Sequence, residues 1–327
     1  MEEDSAFAKA QQEKIQCAVG FYNLENLFDT TNDPQKLDDD FTPNGFKEWN
    51  NFKFNKKISK LSKVISKIGK GDTNSSPSLL GVAEVENRAV LESLITTDHL
   101  KNEGYGIVHY DSPDERGIDV ALLYKKTDFK VTQSEPITLY LETAEGGRDY
   151  TRDILYVQGE LLGNPVHILV NHWPSRRSGE NETSQKRITA AQRNREVIDK
   201  LMNEDPKVKI IIMGDFNDGP HSESVKNNLV KTEFYNPMLY LGTRYEGSLN
   251  YRFDWFIFDQ IIFSNNFVQL HENNLLYEKS DIYNDFFLTE YEGKFKGTPF
   301  RTYAGKRYLG GYSDHFPVYS ILSTRPD

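Results

Sequence analysis

Cysteine is almost missing from this 327-residue chain: Cys17 stands alone, inside the apolar run IQCAVGFY. One cysteine rules out an intramolecular disulfide and a cysteine-built zinc cluster, and a small buried strand residue is its simplest role. Histidines number seven, and neither an HExxH nor a CxxC pattern occurs, so a zinc site of either common type has no support. Positive charge is also in deficit. Lys plus Arg total 39 against 49 Asp plus Glu, a formal net charge of -10; a protein that held nucleic acid through bulk charge would lean the other way. The acidic surplus suits an enzyme that collects divalent cations, and it suits a solvated acidic surface equally. No apolar stretch reaches the length of a transmembrane helix. The opening residues MEEDSAFAKAQQ lack the basic and apolar regions of a signal peptide, although Ala8 and Ala10 resemble the small residues before a signal-peptidase cut. An exported form trimmed of its signal is compatible with this, and the compartment stays open.

What is present is ample core material, with 37% hydrophobic and 13% aromatic residues. Residues 1–14 read as a polar tail and 15–324 as a single domain. A buried strand over 15–23 ends at Asn23, and 30–51 reads as a long loop. Ile58, Leu61, Val64, Ile65 and Ile68 recur at helical spacing over 52–68, with Gly69 as the stop and a solvated lysine face between them. The connector GDTNSSPS leads into the strand LLGVAEV. A short helix is expected over 88–94, with strands at 118–125, 154–161 and 165–171. An amphipathic helix is expected over 184–203, capped by Ser184, with Ile188, Ala191, Ile198 and Leu201 inward. KIIIMGDF and IFDQIIFS read as further strands, and HFPVYSIL follows a loop-rich stretch at 270–312. Interspersed strands and helices without clean alternation favour one mixed-sheet α/β sandwich.

The informative feature is where the polar residues fall. Several apolar strands end in groups able to hold metal or phosphate: Asn23 after GFY, Glu84 and Glu86 around LLGVA, Asn171 and His172 after HILV, and Asp215, Asn217 and Asp218 after IIIMG. Asp314 and His315 precede FPVY in the same way. Strand ends that share one rim of a sheet are where binding groups gather in α/β folds. Glu84, Asp215 and Asp314 offer hard oxygen donors, which suit Mg²⁺ or Mn²⁺.

The segments FYNLENLF, LLGVAEVEN, RGIDVALLY, VNHWPSR, MGDFND, FDQIIFS and GYSDHFPV, in that order, resemble the endonuclease/exonuclease/phosphatase superfamily of metal-dependent phosphoesterases. The likeness spans about 15–322. It implies a four-layer α/β sandwich, two packed mixed β-sheets flanked by helices. It also implies roles for residues. Glu84, Asn23 and Asp314 would hold Mg²⁺, with Mn²⁺ or Ca²⁺ as substitutes. Asp215 would activate water, Asn217 would bind phosphoryl oxygens, and His315, oriented by Asp259, would act on water or on the developing phosphate charge. His172 would protonate the leaving oxygen or bind phosphate. Arg116, Arg152, Arg176 and Arg177 are expected to face substrate phosphate. Asp119 is grouped with them and has two further readings, a partner that orients His172 or an exposed strand-edge aspartate. His99, His109, His167, His221 and His271 carry no motif.

The implied activity is phosphodiester hydrolysis by a monomer, with DNA or RNA as first substrates. The Asn-Tyr-Arg and Cys-Asp-Arg motifs of inositol polyphosphate phosphatases do not occur in the matching places. The alternatives are a phosphomonoesterase or lipid phosphodiesterase, and a binding module that kept the fold without the chemistry.

Overall fold

The structure is a computed structural model and describes residues 14–143, 145–177, 179–269 and 275–324. Two six-stranded mixed sheets carry the architecture. In the first, the strand Gln16–Leu27 lies at the centre, parallel to Leu79–Val85 and antiparallel to Val318–Thr324; Leu275–Ile282, Asp119–Lys125 and Tyr105–His109 complete it. In the second, Ile210–Asp215 lies parallel to Asn164–His172 and antiparallel to Asp259–Ser264, with Phe234–Tyr235, Ile154–Leu161 and Phe129–Ile137 outside them. Apolar residues such as Val19, Phe21, Val82, Ile211, Met213 and Ile261 join both sheets in one buried core.

Helices cover the outer faces. Asn51–Ile65 and Arg88–Ile95 pack on the first sheet through Ile58, Leu61, Val64, Val90 and Leu94. Asn50 and Asn87 accept from the backbone N–H three residues on and so fix both starts. The helix Glu180–Glu204 packs on the second sheet through Ala190, Ala191 and Ile198. The result is helix, sheet, sheet, helix, the four-layer sandwich.

Several local expectations need correction. The long helix begins at Glu180 after Gly179, a turn before Ser184, and its buried stripe includes Arg187, Asn194 and Arg195 while Ile188 is only partly covered. Polar side chains there donate to carbonyls of the same helix, Glu180 and Ala190, and of the neighbouring helical turn at Leu229, which hides the stripe from a hydrophobic count. The lysine face of Asn51–Ile65 is not left to water. Lys53, Lys60 and Lys63 lie over the rings of Tyr308, Tyr312 and Phe287 at 5.1, 4.6 and 5.0 Å. The loop-rich stretch after 270 contains the edge strand Leu275–Ile282; His271 lies outside the described residues. Cys17 is buried, and burial pushes its thiol up to about 12.

The first strand does not stop at Asn23. It runs on to Leu27 through a register shift between Asn23 and Leu27, where Glu25 and Asn26 take positive φ of 50° and 52°. Its neighbour slips between Ala83 and Val85, with Glu84 at φ 60°. Bulges re-aim side chains that a regular ladder would turn alternately up and down. Non-glycine residues in the left-handed region carry strain that the surrounding structure must hold.

Candidate active site

The strand ends do converge. In the second sheet Asp215 is in register with His172 on one side and Asp259 on the other, so three candidate residues lie in one row across the sheet edge. The bulged ends of Gln16–Leu27 and Leu79–Val85 bring Asn23 and Glu84 to the same place from the first sheet. His315 precedes Val318–Thr324 and is tied to Leu249 by an isolated bridge.

Asp215 is the hub. Its Oδ2 accepts from Asn23 Nδ2 at 3.1 Å, and His172 Nε2 and His315 Nε2 stand 3.8 and 3.9 Å away. Glu84 Oε1 is 3.9 Å from the same His172 nitrogen and 3.4 Å from Asn23 Nδ2, while its Oε2 accepts from the Asn26 N–H at 2.9 Å. Separations near 3.9 Å are too long for direct hydrogen bonds and leave room for an atom between the groups. Asp259 Oδ2 is 2.7 Å from His315 Nδ1. Asp314 Oδ1 is 3.9 Å from His315 Nε2, and Arg301 donates to Asp314 Oδ2 at 2.9 Å.

The electrostatics follow from burial and charge. Burial lifts the Asp215 carboxyl to about 6, and Asp259 adds to the lift against the pull of His315. Burial alone would lower His315, but Asp259, Asp215 and Asp314 outweigh it and hold the imidazole well above its ordinary value. His172 goes the other way: burial, then the charges of Arg152, Arg116 and His315, drive it well below. One histidine is therefore charged near neutrality and the other neutral. His172 Nδ1 and Asp259 Oδ1 are buried without a hydrogen-bond partner.

A divalent cation fits this donor set. Asp215, Asp259 and His315 bring candidate ligand atoms within 4.8 Å of one another, and with the imidazole held protonated it is the carboxylate oxygens that would take the ion. Glu84 and Asp314 add oxygens, and a carboxylate whose burial raises its pKa gains from a nearby cation. Asn23 fits less directly. Its amide nitrogen faces Glu84 and Asp215, and its Oδ1 accepts from the Glu25 N–H at 2.9 Å, so the amide must turn over to offer its oxygen.

Asn217 sits at φ 49°, its N–H on Asp215 Oδ1 at 2.9 Å and its Nδ2 on the Trp173 carbonyl at 3.0 Å. One amide hydrogen remains for a ligand.

Three expected substrate contacts are engaged elsewhere. Arg152 is buried and donates to the His172 and Trp173 carbonyls and to Asp114, at 3.2, 2.7 and 3.1 Å. Arg176 is spent on Asn217 O, Asp218 and Glu180, each at 2.7 Å. Asp119 pairs with His109 at 3.0 Å and accepts from the Ser112 N–H, so it does not orient His172, and it is buried rather than strand-edge exposed. Each supports the backbone beneath the site. His167 bonds to Tyr156 at 2.7 Å.

Arg116 and Arg177 do line a cleft, of about 330 Å³, whose wall includes Glu25 and Asn26 beside the carboxylates. Residues passed over in the sequence matter here. Glu25, two places beyond Asn23, receives the Thr302 N–H at 2.6 Å and faces Arg301 at 3.4 Å. Burial pushes its carboxyl up to about 7. Lys57 is buried and donates to the Glu25 carbonyl and, at 2.7 Å, to Thr302. Glu25 was available in the FYNLENLF segment. Arg301 lies in an irregular loop with no periodic signal.

Comparisons with known proteins bear on the family and the fold. A model of the Endonuclease/Exonuclease/phosphatase family matches residues 18–324. Among solved structures, a humanized D. rerio TDP2 aligns at 15% identity over 94% of this chain and 99% of its own, with a TM-score of 0.58. A Bacteroides thetaiotaomicron endonuclease/exonuclease/phosphatase family protein aligns at 16% identity over 96% and 100%, TM-score 0.58. A Bacteroides thetaiotaomicron mannosyl-6-phosphatase aligns at 17% identity over 94% and 99%, TM-score 0.56. A comparison with curated protein sequences found no match.

Proposed function

The chain belongs to the endonuclease/exonuclease/phosphatase family, and from that premise we propose that it hydrolyses phosphodiester bonds at the cluster around Asp215, with nucleic acid as the first substrate to try. The observation that carries the reading is the pairing of opposite protonation states around one carboxylate. Asp215, lifted to about 6, is basic enough to accept a proton from water near neutrality. His315, held charged by Asp259 at 2.7 Å, donates toward a phosphoryl oxygen as negative charge grows there. His172, neutral and 3.8 Å from Asp215, offers an N–H to the same substrate group. The free amide hydrogen of Asn217 adds a further donor. A divalent cation held by Glu84, Asp314 and the Asn23 oxygen would polarise the phosphoryl oxygen and offset its charge.

A silent binding module has no use for two histidines tuned in opposite directions. A second reading, phosphomonoester hydrolysis, is favoured by the small cleft beside Glu84 and by the likeness to the mannosyl-6-phosphatase. The likeness to D. rerio TDP2, one structure of which holds a single-strand DNA product, supports the first. Purified protein with Mg²⁺ or Mn²⁺ should cleave single-stranded DNA or bis(4-nitrophenyl) phosphate, and EDTA should stop it. Turnover of mannose 6-phosphate alone would select the second reading. Inertness toward all three would reject both.

A further inference from the structure

The cleft beside the carboxylates has a charge that the rest of the chain does not share. Its lining contributes four cations, Lys47, Arg116, Arg177 and Arg301, against two anions, Glu25 and Asp40. That is a local excess of two positive charges in a chain of net charge -10. Such an excess costs free energy through mutual repulsion unless an anion relieves it. Lys47 is held below its ordinary range, by burial first and also by the charges of Arg301 and Arg177.

These cations differ in how far they are already neutralised. Arg301 is engaged with Glu25 and Asp314 at 3.4 and 2.9 Å. Lys47 donates to the Gly305 carbonyl at 2.6 Å. Among the described residues the Arg116 guanidinium pairs only with Asp114, 3.8 Å away, and Arg152 already holds that carboxylate at 3.1 Å. Arg177 is exposed and has no hydrogen bond or ion pair among the described residues. Two guanidinium groups thus face the cleft with unused donors, the geometry that suits a phosphate or carboxylate.

The cleft is also continuous with the reaction centre. Asn26 lines it and donates its N–H to Glu84, and Arg301 lines it and holds Asp314. We propose that this cleft binds a second anionic group on the substrate, read by Arg116 and Arg177, so that the preferred substrate is a phosphate ester carrying another phosphate or carboxylate close to the scissile bond. This rests on the phosphodiesterase reading and narrows it. The second anion has two sources, the neighbouring phosphate of a nucleic acid strand or the second phosphate of a small metabolite.

The test has a binding arm that needs no turnover. Inorganic pyrophosphate is titrated by calorimetry into full-length protein kept metal-free with EDTA. Saturable, salt-sensitive binding is expected, weakened about tenfold or more in Arg116→Gln/Arg177→Gln, the loss of charged hydrogen bonds. Absence of binding, or binding that the double variant leaves unchanged, overturns the proposal. Both positions tolerate glutamine, since neither side chain supports the core, and a circular dichroism melt confirms folding.

The second arm compares 4-nitrophenyl thymidine 5′-phosphate with the same ester bearing a 3′-phosphate. The wild type should favour the bisphosphate in kcat/KM by about tenfold, and the double variant should lose that ratio. Equal rates overturn the second-anion site while leaving the phosphodiesterase reading intact. No turnover of either ester defeats the phosphodiesterase reading, and the calorimetric arm then still decides the anion site. Competition by fructose 1,6-bisphosphate and by a short oligonucleotide then separates the two sources of the anion.

Discussion

His315 Nδ1 and Asp259 Oδ2 lie 2.7 Å apart, and this contact makes the imidazole a cation in a buried site. Asp259→Asn keeps the shape and removes the charge. The His315 pKa should fall, and activity near neutrality should drop by roughly 10²–10⁴, with the residual activity shifted to lower pH. The sign for stability is also fixed. A histidine raised in the folded state adds stability below its unfolded pKa and loses it as pH rises through the folded value. NMR titration of His315 in both proteins measures the shift; an unmoved His315 resonance would remove Asp259 from this role.

The carboxylates around Asp215 repel one another without a cation. Saturating Mg²⁺ or Mn²⁺ should therefore raise the melting temperature of the wild type, by mass action on the folded state. Glu84→Gln should lose most of that rise while its metal-free melting temperature stays at or above that of the wild type. A full cation-dependent rise in the variant would show that Glu84 holds no metal.

Arg152 supports the His172–Trp173 backbone and Asp114 from a fully buried position. Arg152→Met strands a buried carboxylate and two carbonyls, and about 3–5 kcal/mol of stability should go with it. Adding Asp114→Asn should recover part of the loss. Chemical denaturation of the two single variants and the double variant gives the coupling; strict additivity would contradict a shared network.

Lys209 packs over Phe267 and donates to the Leu275 carbonyl at 3.1 Å, and burial lowers its ammonium to about 8. Its folded pKa lies below its unfolded value, so the charged form is penalised in the folded state. The penalty is present in full below pH 8 and fades as pH rises toward the unfolded value. Lys209→Met should stabilise the protein at pH 7 and have less effect near pH 10. Equal shifts in melting temperature at the two pH values would refute the sign.

Much of this was legible in the sequence because strand burial and site position are coupled. IIIMGD is apolar until the last residue of its strand, so Asp215 announces itself; His172 likewise closes its strand, and Asp259 opens the strand that pairs with Asp215. The mixed-sheet α/β sandwich follows from the order of such runs, and the four layers from the resemblance those segments carry. Bulges were not legible. Nothing in FYNLENLF says that the strand continues past Asn23 with Glu25 and Asn26 at positive φ. Arg152 and Arg176 were misjudged for a related reason. Whether a guanidinium faces a ligand or a carbonyl depends on neighbours far along the chain, 20 residues away for Arg152 with His172 and 41 for Arg176 with Asn217. The lysine face was misjudged because its aromatic partners, Tyr312 for Lys60 and Phe287 for Lys63, lie more than two hundred residues downstream.

The strand Val318–Thr324 lies inside the first sheet, between Leu275–Ile282 and Gln16–Leu27. Until residues 318–324 have been made, the flank of Gln16–Leu27 that they cover has no partner strand. His315 arrives only with them. A polypeptide stopped before residue 315 therefore lacks both the pairing of Gln16–Leu27 with Val318–Thr324 and the His315 side chain.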